Sequence, residues 1–171
     1  GKHVSAGINS SEINTVYFNN NRQYVVSGVF EQQLKKLPAF TYRLQGTYKR
    51  GANAATPGYR LNNTASEEKN FSITAGWNKE HFNSELFYSR FATRVGIFKG
   101  SHIGNLSDLQ NAIDSERPAP VFLGKDSYEI ERPYQDVTHQ VLKSRTQYTK
   151  NGHRFVLQLA GQFNQRKEFD I

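Results

Sequence analysis

Apolar and polar residues alternate along at least five segments of this chain, and the apolar positions of those segments carry no charge. Phe40, Tyr42, Leu44 and Tyr48 alternate with Thr41, Arg43, Gln45, Thr47 and Lys49, while Phe71, Ile73, Ala75 and Trp77 alternate with Ser72, Thr74, Gly76 and Asn78. Phe82, Leu86 and Tyr88 oppose Asn83, Glu85 and Ser89; Leu142 and Tyr148 oppose Lys143, Arg145 and Gln147. Phe155, Leu157, Leu159 and Phe163 oppose Gln158, Gln162 and Asn164. Period two is the mark of β-strands, because successive side chains point to opposite faces of a sheet. The expected fold class is all-β, with one apolar and one polar face.

Two architectures share this pattern. A soluble sandwich turns its apolar face to a second sheet, whereas an outer-membrane barrel turns it to acyl chains and its polar face to a watery lumen. The aromatics favour the barrel: Phe40, Trp77, Phe82, Tyr148 and Phe155 lie on the apolar parity, each within a few residues of a short polar turn. Rings with a polar tip or edge gather at headgroup level and form such a girdle.

Seven strands are expected, at about 2–9, 23–34, 39–50, 69–78, 82–94, 137–149 and 154–165. The connections at Lys35–Pro38, Asn78–His81 and Thr149–His153 are short, and the last contains Asn151-Gly152, a strong hairpin signal. Those at about 10–22, 51–68 and 95–136 are long. Tight turns on one side and long loops on the other are the layout of an up-and-down transmembrane barrel, with the long loops outside. In the longest loop, Asn105–Ile113 reads as a short helix capped by Asn105 or Ser107, with Leu106, Leu109 and Ile113 on one face. Pro118 and Pro120 follow it, and the loop is expected to form a folded cap.

Composition suits a wall one residue thick: of the 171 residues 36% are hydrophobic but 13% are aromatic, so apolar area is concentrated in Phe and Tyr. No stretch approaches the roughly 20 apolar residues of a membrane helix. There is no cysteine, hence no disulfide framework or thiolate metal site. A net charge of +7 is compatible with nucleic acid, but Lys and Arg are scattered over turns, loops and the polar face, so no nucleic-acid partner is expected. The opening Gly1-Lys2-His3 reads as strand-like sequence, and no export signal is expected within these residues.

Three stretches carry a family resemblance. They are Arg43–Gly51 leading to Thr56-Pro57-Gly58-Tyr59-Arg60-Leu61-Asn62-Asn63-Thr64; Tyr88-Ser89-Arg90-Phe91 continuing through Gly96–Leu106; and Gln162-Phe163-Asn164-Gln165-Arg166-Lys167-Glu168-Phe169-Asp170. Together they resemble the middle of the barrel of TonB-dependent outer-membrane receptors over nearly the whole chain, most specifically at Gly96–Leu106. The resemblance implies a 22-stranded barrel around an N-terminal plug, in the outer membrane of a Gram-negative bacterium. Such receptors import siderophores, vitamins, sugars or other scarce nutrients with energy from an inner-membrane complex. The chain departs from the family by omission. It has no plug-like segment, no coupling box, an odd strand count, and Ile171 where such barrels finish on an aromatic. The expectation is a fragment covering about a third of the wall, seven strands of 22. Its partners would be outer-membrane lipid, the rest of the barrel and its plug, a small nutrient ligand, and the TonB complex through parts outside this chain. A passive porin and a secreted carbohydrate-binding β-sandwich are the alternatives.

Candidate chemistry is sparse. His3, His81, His102, His139 and His153 lack metal-ligand spacing, and Asp108, Asp114 and Glu116 lack that of a calcium loop. No catalytic order of Ser, His and Asp and no phosphate loop can be identified, so an enzyme, a metal site and a cofactor are not expected. What remains is the polar face. Arg43, Lys49, Lys143, Arg145 and Glu85 are ordinary lumen residues on one reading; on the other, the four cations form a basic wall drawing in an anionic solute such as a ferric siderophore. His102, between Gly100-Ser101 and Ile103-Gly104 in the long loop, is the further candidate for ligand contact.

Overall fold

A computed structural model describes residues 9–101 and 104–170. It contains one antiparallel sheet in which every strand pairs with its sequence neighbour, in the order β1 to β7. The strands are β1 (Ser10–Phe18), β2 (Gln23–Leu34), β3 (Leu37–Gly51), β4 (Ser66–Asn78), β5 (Phe82–Gly96), β6 (Tyr134–Lys150) and β7 (His153–Phe169). The up-and-down meander is thus present, and the sheet is open, with β1 and β7 as its edges among the described residues.

The connections alternate between the two ends. Residues 35–36, 79–81 and 151–152 turn at one end; residues 19–22, 52–65 and 97–133 lie at the other. Asn151 and Gly152 both have positive φ, 51° and 77°, as a two-residue turn matched to strand twist requires. One expected loop is corrected: residues 10–22 are mostly strand, because β1 occupies Ser10–Phe18 and leaves a four-residue tip. The expected strand at 2–9 lies almost entirely outside the described residues. Pairing with β2 sets the parity of β1, with Ile13 opposite Gly28 and Tyr17 opposite Tyr24. Val16 and Phe18 then fall on the polar parity, which is why the segment does not alternate cleanly in sequence.

Register aligns the apolar face across the sheet. One row runs Phe30, Leu44, Ile73, Tyr88, Leu142; near the short turns lie Phe40 opposite Trp77, and the row Phe82, Tyr148, Phe155. The aromatics near the short turns thus fall on one face in two register-aligned groups, and the Phe40 and Trp77 rings stand 6.5 Å apart. Hydroxyls on this face bond sideways within the sheet: Tyr42 donates to Gln32 Oε1 at 2.6 Å and Tyr88 to Gln140 Oε1 at 2.8 Å, and Ser84 Oγ meets Thr146 Oγ1 at 2.9 Å.

The strands continue beyond the apolar stretch toward the long loops, and there the apolar parity does carry charge. Arg50, Glu67, Arg94, Asp136 and Lys167 form one row across β3 to β7, with Lys69 and Arg90 just below it. Facing charges hold these extensions in register, as in the pair of Arg94 with Asp136. Ten residue steps along β5, from Phe82 to Ala92, span roughly 33 Å of strand, and the charged row lies just past them.

Burial runs opposite to that of a water-soluble core. On the polar face Thr41 and Thr74 are 1% and 8% exposed, while Leu44 and Ile73 on the apolar face are 42% and 43% exposed. The buried apolar residues among those described, Ala52 and Ala65, sit at strand ends in the loop region.

Candidate functional site

The polar face carries three of the expected solute contacts close together. Arg43, opposite Thr74, shares a row with Phe87 and Lys143, so Arg43 and Lys143 are three strand spacings apart, roughly 14 Å. Arg145 lies one row nearer the short turns, directly opposite Glu85. These three cations line one open cavity of 510 Å³ together with Gln45, Glu85 and Gln158. A second recess of 370 Å³ continues it toward the turns, where Arg154 donates to Gln147 Oε1 at 2.8 Å.

Lys49 is not part of that group. It lies six residues further along β3, roughly 20 Å away, and faces Glu68 across β4. His102 lies outside the described residues.

The wall is basic only in part. Arg43 makes an ion pair of 2.9 Å with Glu31, its register partner on β2, which matches its charge locally. Glu85 brings a carboxylate beside Arg145 in both recesses. Alternating donors and acceptors suit a polar, hydrated solute; they do not make a uniform field for an anion. Glu31, Arg154 and Gln158 were invisible as partners in sequence, since only strand register brings them beside Arg43 and Arg145.

The long-loop end is built around two buried asparagines. Asn63, at φ 50°, donates through Nδ2 to the carbonyls of Ile97 and Pro133 at 2.9 and 2.7 Å, and its Oδ1 accepts from the Glu131 amide at 2.9 Å. Gly96 makes this approach possible, because a Cβ there would stand 2.6 Å from the Asn63 carbonyl oxygen. Asn53 donates to the Lys125 carbonyl at 3.1 Å and accepts from the Thr64 amide at 2.8 Å. Asp126 bridges Arg22 and Arg60 at 2.6 and 3.8 Å, and Tyr128 donates to the Arg22 carbonyl. The hydrogen bond from Arg22 to Asp126, reinforced by the carboxylate charge, holds that guanidinium above its ordinary pKa. The tip at 19–22, the loop at 52–65 and the loop at 97–133 thus form one consolidated cap.

Helix α1 (Leu106–Asp114) begins where expected, with the Asn105 side chain accepting from the Asp108 amide at 2.8 Å. Its apolar residues do not seal the cap: Leu106 and Ile113 are largely exposed. Between α1 and the loop at 52–65 lies a cavity of 570 Å³, lined by Tyr59, Phe98, Phe122, Asp108 and Arg117, with Phe98 and Phe122 edge to face at 5.9 Å. Aromatic walls with a few charged groups suit a small organic molecule better than a bare ion.

Among the described residues no group of three or more His, Cys, Asp or Glu side chains is arranged to hold a metal ion. No helix among them is long and apolar enough to cross a membrane. No protein-family model and no curated protein matches the chain.

Proposed function

We propose that this chain is part of the barrel wall of a TonB-dependent transporter in the outer membrane of a Gram-negative bacterium, importing a scarce nutrient. The observation that carries the reading is the inverted burial: Leu44 and Ile73 are exposed on the face where a soluble sheet would hide them, and Thr41 and Thr74 are covered on the other. Lipid satisfies the first face and a hydrated lumen the second. The sideways bonds of Tyr42, Tyr88 and Ser84 support the same placement, because a hydroxyl facing hydrocarbon needs a protein partner. So does the end-to-end alternation, with tight turns toward the periplasm and the consolidated cap outside.

In this reading the sheet is completed by further strands and filled by a plug, neither of which is in this chain. The TonB complex acts through those parts. A nutrient meets the cavity beside α1 first and the recesses at Arg43, Lys143 and Arg145 afterwards. A passive porin would use the same wall without a plug, and a carbohydrate-binding sandwich would cover the apolar face with a second sheet.

Nutrient uptake by cells carrying the complete parent protein tests the assignment. Uptake should stop when the inner-membrane energy source is uncoupled. Uptake that persists identifies a porin, and a parent absent from the outer-membrane fraction identifies the sandwich; either result refutes the proposal.

A further inference from the structure

The charges that interrupt the apolar parity form a site of their own. Lys69, Arg90, Arg94 and Lys167 border a shallow groove of 370 Å³ on the apolar side of the sheet, together with two carboxylates, Glu67 and Asp136. Its floor is low because Ala92 and Thr138 lie side by side between the two charged levels.

Both carboxylates are already engaged. Glu67 accepts from the Tyr48 hydroxyl at 2.8 Å and pairs with Lys69 at 3.1 Å. Asp136 receives two bonds from Arg94, at 2.7 and 2.8 Å. Arg90 makes no ion pair among the described residues, and Lys167, opposite Asp136 in the row, acts on that carboxylate by its charge without a close ion pair. The groove thus offers two cations beyond its own carboxylates, at the border where the apolar band ends.

We infer that this groove binds the phosphate of a membrane-lipid headgroup, with Arg90 and Lys167 as its principal contacts. The inference rests on the proposal that the apolar parity faces lipid. A lipid seated there would lay its chains over Phe71, Tyr88 and Phe163 while its phosphate met the cations, so apolar contact and charge complementarity act on one molecule. Arg suits the task through its planar fork of donors and Lys as a point charge.

The test uses the complete parent in neutral detergent, titrated with phosphatidic acid or phosphatidylcholine and read by native mass spectrometry. Phosphatidic acid should bind more tightly. Each cation near an anionic headgroup is worth roughly five-fold in affinity, so Arg90→Gln with Lys167→Gln should weaken binding by about thirty-fold. Arg90→Lys with Lys167→Arg should retain it. Arg166→Gln, on the same strand but the opposite face, should leave it unchanged. Equal binding of the two lipids, no loss in the double Gln variant, or displacement by equimolar inorganic phosphate would each overturn the inference. Such a result in a parent that still shows energy-coupled uptake would leave the transport proposal standing, whereas lipid binding without coupled uptake would remove transport alone.

Discussion

Arg94 and Asp136 face each other across β5 and β6 in a two-pronged ion pair, on the same side of the sheet as Leu86 and Leu142. The pair marks a boundary. Between the aromatics near the short turns and this level the face carries mainly Phe, Leu, Ile and Tyr, with Lys69 and Arg90 just below the boundary; at it, charges meet across neighbouring strands. The apolar face is therefore a band of finite height, as a bilayer requires and as a sandwich core does not.

The first prediction follows from the band. Leu44→Arg, near mid-height, should destabilise the assembled parent by about 2 to 4 kcal/mol, and Thr138→Arg, near the border, by about 0 to 1 kcal/mol. Gln45→Arg, exposed on the polar face, should assemble almost normally. Denaturant titration of the parent in lipid vesicles measures all three, and equal losses would refute the assignment of faces.

A second prediction concerns Asn63. Replacement by Ala removes three hydrogen bonds and keeps the positive φ, which costs an L-residue other than Asn or Asp roughly 1 to 2 kcal/mol. Asn63→Gly loses the same bonds without that backbone cost. Hydrogen exchange at Ile97 and Glu131 should accelerate in both variants, more in Ala than in Gly. Unchanged protection would show that the cap is held by something else.

Labelling of intact cells tests the orientation. Cys at Asn111 or Lys125, both exposed in the cap, should react with an impermeant reagent, and Cys at Lys79 or Asn151 in the short turns should not. Asn53 belongs to the same loop region but is only 5% exposed, so Cys there should stay unreactive in a folded cap. Reaction at the turns alone would invert the topology.

The open edges give a fourth expectation. β1 and β7 each leave one side without a strand partner among the described residues, and the face between them is apolar. Unpaired backbone groups cost several kcal/mol each in hydrocarbon, and in water such edges template association. Expressed alone, these 171 residues should aggregate or require detergent. A monodisperse, cooperatively melting monomer in plain buffer would contradict this.

Much of the sheet was legible in the sequence because alternation and turn chemistry act locally. Asn151-Gly152 has the residues its turn needs, and β2 runs over the expected 23–34. The short helix was legible too, since Asn105 caps through its own side chain. Three things were not. β1 was hidden because Val16 and Phe18 break its parity, and only pairing with β2 reveals the faces. The outward extensions of β4 and β6 carry Glu67 and Asp136, which read as loop until each finds its opposite charge in Arg94, at the end of the expected β5 between them. The neutralisation of Arg43 by Glu31 depends on register twelve residues apart in sequence, so the polar wall looked more basic than it is.

The central claim, that one parity of each strand meets lipid and the other water, is tested most directly by a nitroxide scan along β3 from Phe40 to Arg50 in the complete parent reconstituted in vesicles. Collision with dissolved oxygen, which concentrates in hydrocarbon, should peak at positions 42, 44 and 46, and collision with a water-soluble nickel chelate at 43, 45 and 47. At Arg50, level with the charged row, oxygen preference should fade. Alternation with that phase and that limit is the predicted result; oxygen exposure without alternation, or with odd positions in the lipid, would contradict the account.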